Sequence, residues 1–148
     1  MVDTEEQYHG KIVVGVDGSE ASIEALRQAR RLGEALDAEV VAVAFWEYPQ
    51  TYMSYVSTAF EGFEERAGEI LKEAVDKAFD SDLPASVTPR LRFGAVRPSL
   101  LDASKTALMI VVGRRGHGGF GGMLLGSVSS ALVAHAHCPV LVVHSSET

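Results

Sequence analysis

The sequence carries one cysteine in 148 residues, one tryptophan, and fewer basic than acidic side chains, 13 against 20. A lone Cys138 excludes an intrachain disulfide and supplies no thiolate ligand set for a metal. It stands just before an apolar run, where a small buried filler is the natural role. The net charge of −7 argues against nucleic acid as a partner, because binding a phosphate backbone needs a basic face. No apolar run approaches the roughly 20 residues of a membrane-spanning helix, and residues 1–9 are too polar for a signal-peptide core. The expectation is a soluble, cytoplasmic protein with neither nucleic acid nor membrane as partner. With 47% hydrophobic and 22% charged residues, residues 1–148 read as one globular domain, with residues 1–9 as a flexible N-terminal arm.

Glycine is concentrated in one place. Seven of the 14 glycines lie between Gly113 and Ser127, in the stretch G-R-R-G-H-G-G-F-G-G-M-L-L-G-S. The apolar run Ala107 to Val112 feeds this stretch, and a helix-like segment beginning near Ser127 leaves it. A buried strand, a glycine loop and a helix start in that order build an anion site. Glycine backbone approaches a ligand closely and tolerates positive φ, and a helix start adds unpaired N–H donors with a favourable dipole. The stretch is not a Walker A loop, since no lysine precedes Ser127. Gly116-x-Gly118-x-x-Gly121 matches the dinucleotide fingerprint by letter but lacks the acidic residue about 20 positions on. A loop whose glycines only permit tight turns is the bland alternative.

The rest of the chain alternates strands and helices. Lys11 to Val16 is an apolar run ending in Asp17-Gly18-Ser19, a turn with Ser19 as helix N-cap. Ile23, Leu26, Ala29, Leu32 and Leu36 then recur at helical spacing, with Glu24, Arg27, Gln28, Arg31 and Glu34 on the solvent side. Val40 to Trp46 reads as a second buried strand. Residues 47–57 have no clean period and fit either a lid over the site or a packed surface loop. Thr58-x-x-Glu61 is a capping box for a helix to about Phe79, with Phe60, Phe63, Ala67, Ile70, Ala74 and Ala78 inward. Val87 to Phe93 alternates, with Val87, Leu91 and Phe93 against Thr88, Arg90 and Arg92, and it contains Pro89, the marks of an edge strand. A short helix from Arg97-Pro98 to about Thr106, the strand Ala107–Val112, a helix Val128 to about Ala136 and a last strand Pro139–Val143 complete the pattern. It predicts an α/β fold with a five-stranded parallel sheet in the order 3-2-1-4-5 and helices on both faces. In that order the chain changes direction between strands 1 and 4, and ligands favour the crevice at their carboxyl ends, where Asp17 and Gly113 both lie.

The spacing Gly113-x2-Gly116-x9-Gly126-Ser127, together with K-I-V-V-G-V-D-G-S at Lys11–Ser19 and C-P-V-L-V-V at Cys138–Val143, resembles the universal stress protein family of the small, single-domain, ATP-binding type. The likeness covers nearly the whole chain. It implies a Rossmann-like fold of the adenine-nucleotide alpha-hydrolase kind and a nucleotide-dependent regulatory role in the stress response. ATP and an accompanying Mg2+ are the implied ligands. Position by position, Gly113, Gly116, Gly126 and Ser127 would surround the phosphates. Val112 leads into that loop, and Val128 and Ser129 follow in the helix's first turn. Asp17 would meet the ribose or the phosphate-bound metal, Gly15 and Val16 the base, and the backbone at Phe45 the adenine edge. Arg115 is the favoured charge contact, with His117 at the loop rim. Arg114 departs from the family pattern, which more usually has a small residue there.

Asp17 can equally be an Asx cap of the Gly18-Ser19 turn, and Ser127 an ordinary N-cap. A slow ATPase or phosphotransferase in the same crevice is the alternative function. It needs a positioned base and a charge clamp, for which only Asp17 and the arginines offer themselves. A flavin carrier ranks last, because its phosphate loop would follow strand 1. Members of the resembled family commonly form homodimers through the last strand, here Val140, Leu141, Val142 and Val143. That strand is apolar on both faces yet falls at a sheet edge, which invites pairing.

Overall fold

The computed structural model describes residues 8–48, 62–114 and 126–145. The strands are β1 (Ile12–Gly15), β2 (Val40–Trp46), β3 (Val87–Phe93), β4 (Met109–Gly113) and β5 (Val140–Val143). The helices are α1 (Glu20–Leu36), α2 (Phe63–Phe79), α3 (Val96–Ala103) and α4 (Ser127–His135). All strand pairs are parallel, and the sheet order is β3-β2-β1-β4-β5. The three inner strands are β1, β2 and β4, whose unbroken apolar runs are what a sheet covered on both faces requires.

Alternation along the strands divides the core in two. Ile12, Val14, Val40, Ala42, Ala44 and Val111 pack beneath α1 and α2 with Ile23, Leu26, Leu71 and Val75. Val13, Val41, Val43, Ile110 and Val112 face the other way and pack with Leu100 of α3 and Leu132 of α4. Tyr8 joins this second cluster at 3% exposure, so it is a core residue and not part of the expected free arm.

α1 begins as the sequence indicates. Ser19 is extended (φ −71°, ψ 158°) and its side chain accepts the Ser22 N–H. Arg27, placed by periodicity on the solvent side, instead donates to the Ala78 and Lys77 carbonyls at 3.3 and 3.1 Å, satisfying the last turn of α2. α2 differs from expectation at its start. Gly62 is its N-cap, with φ 91° and no side-chain cap bond, so the helix starts at Phe63. Thr58, Phe60 and Glu61 lie outside the described residues. The buried stripe is Leu71, Ala74, Val75, Ala78 and Phe79, while Phe63, Ala67 and Ile70 are only half-buried.

Phe93 closes β3, an edge strand, and is 62% exposed. Its ring packs edge-on to Trp46 at 4.8 Å between centroids, and Tyr48 stands against the same tryptophan at 5.4 Å. At the far end of the chain, Cys138 is half-buried against the α3–α4 side of the core, and burial pushes its thiol pKa up. We expect iodoacetamide at pH 8 to alkylate native Cys138 several-fold more slowly than the urea-unfolded chain, because the thiolate is the nucleophile. Mass spectrometry of timed samples checks this, and equal rates would contradict it. Among the described residues, no helix is long and apolar enough to cross a membrane.

Candidate functional site

The topology brings the carboxyl ends of β1, β2 and β4 together at the point where the strand order reverses, the usual ligand crevice of an open parallel sheet. After β1, Val16 is buried, and its N–H donates to the Val43 carbonyl at 2.9 Å. Asp17 is exposed, and its Oδ1 accepts the Ser19 N–H at 2.9 Å, which is the Asx turn. Its other carboxylate oxygen meets no partner among the described residues. Ser22, at 2% exposure, donates its hydroxyl to the Ser19 carbonyl at 3.0 Å and accepts from the Asp17 N–H at 3.4 Å. The turn is therefore fixed from below, with one carboxylate oxygen left unpartnered among the described residues.

Phe45 lies near the end of β2. Val40 N–H bonds the Ser86 carbonyl and Gly94 N–H the Trp46 carbonyl, so even-numbered residues of β2 address β3 and odd-numbered ones address β1. The paired register of β1 and β2 ends at Gly15 and Val43. The Phe45 amide and carbonyl thus point beyond the last rung, toward the crevice.

Gly113 and Gly15 are both closely packed. A Cβ on Gly113 would lie 2.8 Å from Ala21 Cβ and 3.1 Å from the Ala21 carbonyl carbon and the Ser22 nitrogen. β4 therefore ends directly against the first turn of α1. A Cβ on Gly15 would meet Leu100 Cδ1 at 3.2 Å and Val112 Cγ1 at 3.3 Å, inside the α3 side of the core. Neither position needs a ligand to explain its glycine.

The two described ends of the glycine-rich stretch meet. Gly126 N–H donates to the Arg114 carbonyl at 2.7 Å, and the Ser129 hydroxyl donates to the same oxygen at 2.8 Å. Arg114 N–H in turn bonds the carbonyl of Val143, the last residue of β5. Gly126 is the N-cap of α4, extended at φ −74° and ψ 172°, so positive φ is not its reason for being glycine. Ser127 is consequently the first helical residue rather than the cap, exposed and with no side-chain partner among the described residues. Val128 packs half-buried on the core, and Ser129 is buried at 2%. Arg115, Gly116 and His117 lie outside the described residues. What the sequence reading missed is the Arg114 backbone, which carries no side-chain signal, and the supporting hydroxyl of Ser22.

Among the described residues no group of three or more His, Cys, Asp or Glu could hold a metal ion. Asp17 has one carboxylate oxygen without a partner among the described residues, and a magnesium arriving with phosphates would need little more from the protein, since that ion keeps most of its ligands from water and nucleotide.

Comparison with known proteins agrees with this architecture. The universal stress protein family model matches residues 9–144. A universal stress protein of Mycolicibacterium smegmatis is 36% identical over 99% of this chain and 51% of its own length. One from Methanocaldococcus jannaschii is 32% identical over 93% of this chain and 84% of its own length. The chain thus spans about half the length of the mycobacterial relatives it matches. Among solved structures, a universal stress protein in complex with cAMP superposes with TM-score 0.67 at 25% identity, covering 93% of this chain and 99% of the other. An Archaeoglobus fulgidus member in complex with dAMP gives 0.61 at 21% identity, covering 91% and 98%. An Arabidopsis thaliana member with AMP bound gives 0.58 at 18%, covering 93% of each chain. With the parallel order, the β1 turn and the β4–α4 junction already in place, a match that runs almost end to end leaves one assignment: the chain belongs to the universal stress protein family.

Proposed function

We propose that this chain binds an adenine nucleotide, ATP with Mg2+, in the crevice between the carboxyl ends of β1 and β4, and that occupancy governs a regulatory role in the stress response. The observation that supports the reading is that three groups keep free capacity among the described residues, at the ends of β1 and β2 and at the start of α4. These are the Phe45 backbone, one oxygen of Asp17, and the exposed Ser127 at the start of α4. Solved family members hold cAMP, dAMP and AMP, which supports an adenine ligand here. The Phe45 amide and carbonyl would read the adenine edge, with Val16 and Gly15 behind it. Val112, Gly113, Arg115, Gly116, His117, Gly126, Ser127 and Val128 would frame the phosphates. Magnesium, when bound, would neutralise phosphate charge; Asp17 would orient it while its first oxygen keeps the turn. We also propose a homodimer through β5.

Titration calorimetry tests the ligand. ATP should bind, and Mg2+ should strengthen ATP binding about tenfold while leaving AMP unchanged. Asp17→Ala should erase most of that magnesium gain with an unaltered circular dichroism spectrum. Absence of adenine-nucleotide binding by the wild type would overturn the reading, and an unchanged magnesium gain in the variant would confine Asp17 to its turn.

A further inference from the structure

Ser129 stands two residues inside α4, where a first-turn serine is easily taken for a phosphate ligand. Its environment says otherwise. The residue is 2% exposed, and its hydroxyl donates to the Arg114 carbonyl at 2.8 Å, with the Gly126 carbonyl as a weaker second acceptor at 3.3 Å. A serine hydroxyl has one hydrogen to give, so that hydrogen is committed within the protein. The Arg114 carbonyl is committed too, because Gly126 N–H fills its other lone pair at 2.7 Å. One oxygen thereby fastens both ends of the glycine-rich stretch. Arg114 N–H fixes the same residue to Val143 of β5. Ser127, by contrast, is exposed with its side chain unpartnered among the described residues.

We infer that Ser129 is a positioning residue: through the Arg114 carbonyl it holds Gly126 and the N-terminus of α4 where the phosphates of a nucleotide would meet them, without touching the ligand itself. The inference rests on the nucleotide reading above and adds a division of labour between two serines of one helical turn. Fixing the ends in the free protein means their ordering is not charged against ligand binding. That cost is incurred once, whichever nucleotide binds, whereas a direct phosphate contact matters more as phosphates are added.

The test compares Ser129→Ala and Ser127→Ala on the whole chain. Amide hydrogen exchange at Gly126 is measured by NMR without ligand, and AMP, ADP and ATP affinities by calorimetry. Ser129→Ala should speed Gly126 exchange about tenfold in the ligand-free protein and weaken all three nucleotides by a similar factor, about fivefold. Ser127→Ala should leave the exchange unchanged and lose more affinity for ATP than for AMP. Unchanged Gly126 exchange in Ser129→Ala, or a loss that grows with phosphate number, would overturn the inference. Should the alanine variant not fold, Ser129→Cys, a weaker donor of similar volume, is expected to show the same pattern at reduced size, and wild-type exchange would overturn it. A wild type that binds no adenine nucleotide but shows the Ser129-dependent exchange would refute the ligand and the positioning role together, leaving only the fastening of the two ends.

Discussion

Gly113→Ala should destabilise the protein by about 2–3 kcal/mol, the cost of forcing extra volume into a packed core, which lowers Tm by roughly 5–10 °C in a chain of this size. The added Cβ would lie 2.8 Å from Ala21 Cβ and 3.1 Å from backbone atoms of Ala21 and Ser22. Those atoms belong to the first turn of α1 and have no rotamer by which to yield, so relief requires β4 or α1 to move. Thermal unfolding without any nucleotide measures the effect. Gly68→Ala is the matched control. It lies within α2, where the new Cβ meets only Leu91 Cδ2 at an ordinary 3.7 Å. Replacing a helical glycine under those conditions should stabilise by about 0.5–1 kcal/mol. If Gly113→Ala unfolds like the wild type, the close approach of β4 to α1 is wrong. A shift of α1 would also displace the Asp17–Ser19 turn fixed by Ser22, so weakened nucleotide binding in this variant would report the displaced scaffold as well as any lost phosphate contact.

That distinction marks where the sequence is legible. Strand order and helix placement follow from apolar runs and helical periods, because the strands β1, β2 and β4 are covered on both faces and admit no polar residue. The Ser19 cap and the edge position of the Pro89 strand carry local chemistry of their own. A capping box is a four-residue signal and puts the start of α2 at Thr58, whereas Gly62 at φ 91° sets the boundary by backbone geometry. Alternation groups Phe93 with Val87 and Leu91 but does not say how well that face is covered; at the end of the edge strand Phe93 is exposed and its ring packs on Trp46. Glycine is the least transparent residue of all. The letter states that a Cβ is absent, not what stands in its place. At Gly113 that is α1, at Gly15 it is the Leu100 side chain, and at Gly126 an ordinary φ of −74° gives no conformational reason. The fastening of Arg114 to Gly126 and Ser129 is carried largely by main-chain atoms across residues far apart in sequence, which no pattern of side chains announces.

The β5 edge gives the other large effect. The Ile110 N–H bonds the Pro139 carbonyl and the Arg114 N–H the Val143 carbonyl, so odd-numbered residues of β5 address β4. Val140 and Val142 therefore turn their N–H and C=O groups away from the sheet. An apolar edge whose outward backbone groups have no partner among the described residues, without an internal lysine or proline to blunt it, is suited to pairing with its own copy about a two-fold axis. Val142→Pro removes an outward donor without removing any bond to β4, and proline is tolerated at such an edge position. Two-fold symmetry doubles the loss: each protomer forfeits one donor and leaves one acceptor of its partner unmet, about 3 kcal/mol together, or roughly 100-fold in the dimer dissociation constant. Light scattering and sedimentation should show a micromolar wild-type dimer and a monomeric Val142→Pro variant with a circular dichroism spectrum like the wild type's. Leu141→Pro is the contrast, since it removes a bond to β4 on the inner side and displaces a side chain packed on the α1 face, and it should lower thermal stability. A wild type that stays monomeric at micromolar concentration, or a dimer that tolerates Val142→Pro, would leave β5 an unpaired edge and move the assembly to another surface.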